Sequence, residues 1–217
     1  MALALFDLDN TLLAGDSDYL WGEFLVELGI VDGKNYAREN ERFYREYQAG
    51  TLDIHAWLEF QLSPLAAHEP AFMRDLRHRF LQEKIQPIIL AAGRDLIERH
   101  RAHGDIPLII TATNSFITQP IAALLNISHL LATEPEMVDG RYTGRVRGVP
   151  CFREGKVARL SAWLGEHGMD LNGSWFYSDS HNDLPLLQLV EHPVAVNPDD
   201  TLAHFAASRA WPILDLR

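Results

Sequence analysis

The chain has 217 residues, 47% hydrophobic and 23% charged, with one cysteine and a formal net charge of −11. This length and composition suit a globular core with an insertion, or two modest domains, and exclude collagen-like, disordered and disulfide-scaffold classes. The acidic balance argues against nucleic acid or an anionic membrane as partner, whereas an anionic substrate would need a local cation, most simply a divalent metal.

Cys151 stands alone, so no intrachain disulfide is expected and a reduced compartment suffices. The start, MALALFDLDNTLL, lacks the basic residues and long apolar stretch of a signal peptide. No segment approaches the roughly 18 apolar residues of a membrane span. A cytoplasmic protein, monomer or homodimer, is expected.

Residues 2–8, ALALFDL, read as a buried strand of a parallel sheet. Between Asp16 and Ile85 the spacing becomes helical, through Leu20, Phe24 and Leu28, then Ile54, Trp57, Leu58, Leu62 and Leu65, then Phe72, Leu76 and Phe80. Breaks at Gly29, Gly50, Pro64 and Pro70 give roughly four helices. Residues 88–103 read as a helix, 106–113 (IPLIITAT) as a second buried strand, 117–126 as a helix and 128–133 as a strand. Asp139-Gly140 marks a tight hairpin. A helix over 154–168, a strand over 174–179, a helix over 183–190, a strand over 193–197 and a helix over 200–209 follow. This alternation predicts an α/β fold, a Rossmann-like parallel sheet with helices on both faces and a helical segment inserted after the first strand. The expected division is 1–15 with 86–217 as core, and 16–85 as a helical cap.

Ligands of such sheets bind beyond the carboxyl ends of the strands. Asp7 and Asp9 follow the first strand, Thr113 and Asn114 the second, and Asp179, Asn182 and Asp183 the third apolar strand. Acids converging on one rim repel unless a cation lies between them, and oxygen ligands suit magnesium. A bare D-x-D is weak evidence, since Asp16 and Asp18 form another. The context, DLDNTL directly after a hydrophobic strand, distinguishes the first pair.

Taken together the motifs resemble those of the haloacid dehalogenase superfamily phosphatases, and within it the phosphoserine-phosphatase-like subgroup. The family's D-x-D-x-T corresponds to Asp7, Asp9 and Thr11, its Ser or Thr after the second strand to Thr113, its helix-borne Lys to Lys156, and its D-x-x-x-D to Asp179 and Asp183. The resemblance runs through the core from end to end. It implies that Asp7 is the nucleophile, forming an aspartyl phosphate, and that Asp9 is the general acid and base. It implies Mg2+ held by Asp7, Asp179 and the backbone carbonyl of Asp9. Thr113 and the Asn114 backbone amide would hold phosphoryl oxygens, Lys156 would neutralise charge, and Asn182 and Asp183 would order metal waters or Lys156. An acid at position 9 favours phosphate esters, because dehalogenases lack one there and transport ATPases carry threonine.

The resemblance also bears on the substrate, a small-molecule phosphomonoester. In phosphoserine phosphatases an acid nine residues after the nucleophile binds the substrate amine; Asp16 occupies that position and Asp18 is close. Such enzymes hold the substrate carboxylate with a cap arginine. Arg42, Arg45, Arg74, Arg77 and Arg79 are available, but none sits in matching surroundings. An amine without a carboxylate is therefore favoured, which makes histidinol phosphate the expected substrate ahead of phosphoserine. Asp16 is equally placed to cap the first inserted helix. A phosphotransferase or mutase on the same nucleophile, and a receiver-like sensing module, are the alternatives; the large insertion and Asp9 speak against the second. His181, Cys151 and the hairpin residues Arg141, Arg145 and Arg147 are read as loop, packing and solvated residues.

Overall fold

The computed structural model describes residues 2–217. Its centre is the strand β1, Leu3–Phe6, four consecutive buried residues. Leu3 and Leu5 point to one face and Ala4 and Phe6 to the other, so this short apolar run feeds two separate cores. Such a strand is stable only when both faces are covered, which parallel sheets with crossover helices provide.

The helices α1 (Ser17–Glu27), α2 (Gly33–Gln48), α3 (Ile54–Ala67) and α4 (Pro70–Phe80) follow, in the number expected. Pro64 was expected to break a helix, yet α3 runs through it. Proline removes the N–H that would reach Phe60 O, and Ser63 Oγ supplies that bond instead at 2.8 Å. The chain continues past α4 through a π-helical turn at Leu81–Ile85 and a 3₁₀ turn at Gln86–Ile88, so α5 begins later than expected, at Ala91–Ala102. Trp21 of α1, 1% exposed, packs edge-on against Phe80 of α4. Phe116 lies on its other side, on the helix α6 (Ser115–Leu124). The inserted helices are thereby anchored to the same apolar cluster as Phe6.

Strands β2 (Ile106–Asn114) and β3 (His129–Thr133) lie to one side of β1. The hairpin β4 (Pro135–Val138) and β5 (Arg141–Val146) forms a separate two-stranded ribbon, and α7 spans Glu154–His167. Strand β6 (Trp175–Ser178) pairs with the other side of β1. The helix expected over 183–190 is a 3₁₀ turn at His181–Asp183 and one helical turn, α8, at Leu184–Leu187. Ser180 Oγ accepts the Asn182 N–H to start that tight turn, and the chain then reverses into β7, His192–Val196. Helix α9 (Asp200–Ser208) and a short strand absent from the sequence reading, β8 (Ile213–Leu214), complete the sheet.

The sheet order is β3-β2-β1-β6-β7-β8, all parallel. From β1 the chain builds outward first through β2 and β3, then returns to β1's other edge with β6. The reversal falls between β1 and β6, the place where such sheets open a crevice at their carboxyl ends. Among the described residues no helix is long and apolar enough to cross a membrane.

Candidate active site

Asp7 leaves the end of β1 with its backbone N–H donated to Tyr177 O on β6 at 2.9 Å, which fixes it at the crevice. Lys156, in the first turn of α7, points back under the rim. Its Nζ donates to Asp7 Oδ1 at 2.8 Å and to Asp183 Oδ2 at 2.7 Å, and all three residues are buried. Asp183 Oδ2 also accepts from Ser178 Oγ at 2.7 Å. Gly155 lets α7 start there: a Cβ on it would lie 2.0 Å from Pro150 O.

Asp9 is held by two donors. The backbone N–H of Ser17, at the N-terminus of α1, reaches Oδ1 at 2.6 Å, and Thr113 Oγ1 donates to Oδ2 at 2.8 Å. Asn10, at φ 56°, turns the chain between Asp9 and Thr11. Thr11 Oγ1 donates to Asp179 Oδ1 at 3.2 Å and accepts the Asp179 N–H at 3.1 Å, tying the two acidic loops together.

Burial raises these carboxyls. Asp7 is pushed up to about 7 by burial and by Asp183 and Asp9, against the pull of Lys156. Asp9 is pushed up to about 7 by burial and then Asp16, against the bonds from Ser17 and Thr113. Burial and the nearby Asp7 and Asp183 carry Asp179 well above its ordinary value. Asp18 is raised well above it by burial, Asp16 and Asp9. Lys156 moves upward although burial opposes it, because Asp183 and Asp7 face it. Lys156 faces Asp7 and Asp183, with Asp179 close by, while Asp9, Asp16 and Asp18 gather beside the same crevice. Such an arrangement is stabilised by a further cation, and its hard oxygen donors fit magnesium. Among the described residues no three His, Cys, Asp or Glu side chains converge in ligating geometry, so side chains alone do not complete a shell.

The cavity above Asp7 and Asp9 is walled by Tyr19, Phe43, Tyr44, Tyr47, Trp57 and Phe152, with Asp16 and Asp18 among them. Its free volume is about 40 Å³, far below the roughly 300 Å³ at the small end of ligand pockets. Asp179 faces a second cavity of about 380 Å³, shared with Asn10, Ser180 and Asp199. Tyr44 and Tyr47 stand between the two spaces. Burial and then Asp179, Asp7 and Asp183 raise the Tyr47 phenol well above its ordinary range.

The expected site residues converge, and their side chains make the following contacts. Thr113, expected to hold phosphoryl oxygens, stands at the rim with its hydroxyl donated to Asp9. Asn114 precedes α6, and its side chain turns to Asp18, donating from Nδ2 to Oδ1 at 3.2 Å. Asp16 caps α1, accepting the Tyr19 N–H at 2.8 Å, while also lining the cavity; burial pushes it to about 6. Asn182 was expected to serve metal waters or Lys156. Its side chain accepts from Arg153 and donates to Tyr47 O, in the last turn of α2, at 3.1 Å.

Arg153, beside motif residue Lys156, escaped the sequence reading, as did Tyr47 and Phe152 as site residues. Arg153 sits at φ 50°, ψ −119°, a region costing a residue with a side chain on the order of 1–3 kcal/mol. The sequence signal available was only its adjacency to the lysine motif. Of the candidate cap arginines, Arg42, Arg45 and Arg79 are in ion pairs with Glu39, Glu46, Glu41 and Glu83, Arg77 donates to Phe116 O, and Arg74 is exposed. None lines the cavity. Arg141 pairs with Glu69, His181 Nδ1 lies 2.8 Å from Asp199 Oδ2, and the Cys151 thiol is pushed up to about 12 by burial, as inert as expected.

Comparison with known proteins agrees with this geometry. Residues 4–188 match the family model of haloacid dehalogenase-like hydrolases. A histidinol-phosphatase of Neisseria meningitidis serogroup C (strain 8013) is 45% identical over 219 residues, covering 99% of this chain and 99% of its own. The phosphoserine phosphatase SerB1 of Mycobacterium tuberculosis is 32% identical, with 100% of this chain and 71% of its own covered. A crystal structure of a protein of unknown function from Bordetella pertussis Tohama I superposes with a TM-score of 0.94 at 44% identity, covering 100% and 99% of the two chains. A substrate-bound phosphoserine phosphatase shares the fold, with a TM-score of 0.73 at 17% identity and 100% and 93% coverage. The acidic crevice at the β1–β6 reversal, the family match along most of the chain and the full-length phosphatase relative together place this protein in the haloacid dehalogenase-like hydrolases, as a phosphatase.

Proposed function

We propose that the protein hydrolyses histidinol phosphate, with Asp7 as nucleophile. The observation that carries the substrate is the lining of the cavity. Six aromatic side chains and the carboxylates of Asp16 and Asp18 surround it, and among the described residues no arginine or lysine does. Aromatic faces and carboxylates attract a cationic, planar group. A substrate carboxylate would meet only acids there, with no cation to offset its desolvation. An amine with an imidazole fits this surface, and the name of the relative at 45% identity supports the same reading.

The chemistry follows from the placement of the two acids. The Asp7 carboxylate attacks phosphorus, the ester P–O bond breaks, and Asp9 gives its proton to the departing alcohol oxygen. Asp9, now ionised, takes a proton from water; that water's oxygen attacks the phosphorus, and Asp7 leaves with phosphate released. A group near 7 suits both halves of this exchange, and the Asp9 carboxyl is pushed there. Ser17 N–H and Thr113 Oγ1 hold Asp9 in place for both steps. Lys156 fixes Asp7 and offsets charge on the transferring group. The α1–α4 insertion, residues 16–85, acts as a cap over the core formed by 1–15 and 86–217, excluding water when closed.

Magnesium held by Asp7, Asp179 and the Asp9 backbone carbonyl would neutralise the negative charge of phosphate and carboxylate as they approach. Asp183 anchors Lys156 rather than substrate.

The test is phosphate release with magnesium from histidinol phosphate, phosphoserine, histidinol-free sugar phosphates and nucleotides. A hundredfold preference for histidinol phosphate in kcat/KM, about 2.7 kcal/mol, is expected. Preference for phosphoserine would overturn the reading of the pocket while leaving the chemistry of Asp7 and Asp9.

A further inference from the structure

Where the helical insertion meets the core, one guanidinium holds both. Arg153 Nε and Nη2 donate to Asn182 Oδ1 at 3.0 and 2.8 Å, and Nη2 also donates to Gly50 O. Asn182 donates in turn from Nδ2 to Tyr47 O at 3.1 Å and to Ser180 Oγ at 3.2 Å. The carboxamide is therefore saturated, and three of its four contacts run to the insertion, one directly to Tyr47 and two through Arg153. Gly50, at φ +70°, passes so close that a Cβ would lie 2.6 Å from His181 Nε2 and 3.3 Å from Arg153 Nη2. Beneath the guanidinium the Phe152 ring, 5.0 Å away, joins Phe43 and Leu52 of the insertion in a small apolar cluster.

Two facts suggest that this contact serves the reaction as well as the fold. On the proposed function, substrate reaches a site roofed by Tyr44, Tyr47 and Leu52 of the insertion, and the Gly50–Arg153 contact lies on the seam that would part to admit it. Arg153 also occupies a backbone conformation that glycine would adopt more easily, so the strain is offset by what its guanidinium holds, Asn182 Oδ1 and Gly50 O.

We propose that Arg153 is a positioning residue that couples closure of the insertion to the orientation of Asn182. When the end of α2 and the loop after it dock, Tyr47 O and Gly50 O complete the donors of Asn182 and Arg153, and the carboxamide is fixed in the turn that follows Asp179 and leads into Asp183. When it lifts, both lose a partner and Asn182 is free to turn. Arg153 touches neither substrate nor the reacting atoms; it acts through Asn182.

The test is a cycle of Arg153→Gly, Asn182→Ala and the double variant in the full-length enzyme, assayed with magnesium and p-nitrophenyl phosphate. It is read together with amide hydrogen exchange. Arg153→Gly relieves the backbone, so its melting temperature should hold or rise, while kcat/KM falls about tenfold or more. The double variant should lose no more than Asn182→Ala alone. Amides of residues 47–52 should exchange about tenfold faster or more in Arg153→Gly, with those of β1 and β2 unchanged. Multiplicative losses in the cycle, an active Arg153→Gly, or unchanged exchange over 47–52 would each overturn the proposal. Should Arg153→Gly fold poorly, Arg153→Ala in the same cycle carries the same kinetic and exchange expectations, without the gain in melting temperature.

Discussion

Lys156 Nζ lies 2.8 Å from Oδ1 of Asp7, a residue 149 positions earlier in the chain. The bond is buried at both ends and shared with Asp183. Removing the ammonium leaves two carboxyls in a dry site without their cation. Lys156→Ala is expected to lower stability by about 3–5 kcal/mol, the usual loss when one partner of a buried pair is deleted. It should also lower kcat at least ~100-fold. Urea unfolding and steady-state kinetics check both; a parental unfolding midpoint would remove the assigned role.

Asp7→Asn should behave in the opposite way on stability. Asp7 is crowded by Asp183 and Asp9 and buried, so an uncharged isostere relieves repulsion while losing the nucleophile. The melting temperature in metal-free buffer should stay level or rise, and kcat should fall by ~10⁴ or more. Residual turnover near the parental value would rule Asp7 out as nucleophile.

The raised carboxyls make stability depend on pH. Asp7 and Asp9 sit near 7 in the folded protein against an ordinary 3.8. Between those values the folded chain binds more protons than the unfolded one, so stability falls as pH rises through that window. In EDTA the melting temperature should drop between about pH 4 and about pH 7. Magnesium, which favours the ionised acids, should raise it more at the upper end of that range than at the lower. Equal magnesium effects at both ends would count against these carboxyls as its ligands.

Asp16 has two duties that one substitution separates. Asparagine caps a helix about as well as aspartate, so Asp16→Asn should keep α1 within ~0.5 kcal/mol. It removes the charge facing the cavity. KM for an amine-bearing phosphate should rise about tenfold, the equivalent of ~1.4 kcal/mol, while KM for p-nitrophenyl phosphate moves little. Equal shifts for both substrates would leave Asp16 as a cap alone.

The elements were legible in the sequence because the apolar runs are long and cleanly bounded. ALALF and IPLIIT are short apolar runs that suit strands buried on both faces, and the spacing of Leu20, Phe24 and Leu28 is helical. Misreadings arose where a local rule met a local compensation. Pro64 reads as a break, and only the Ser63 hydroxyl bonded to Phe60 O shows why the helix continues. The two-residue strand β8 has too little sequence to carry a pattern, and exists because β7 offers it an edge.

For the site, the sequence by itself determined which residues end the central strands: Asp7, Asp9, Thr113 and Asp179 are placed there by the apolar runs before them. Only the tertiary structure decided whom they face. That Thr113 serves Asp9, that Asn182 turns to the insertion rather than to Lys156, and that Arg153 joins Gly50 to Asn182 are contacts between residues 104, 135, 103 and 29 positions apart. The physical reason is that burial and period fix a residue's position along its own element. A hydrogen bond also needs a direction within a few tenths of an ångström, and that is set by how β1, β6, α7 and the inserted helices pack against one another.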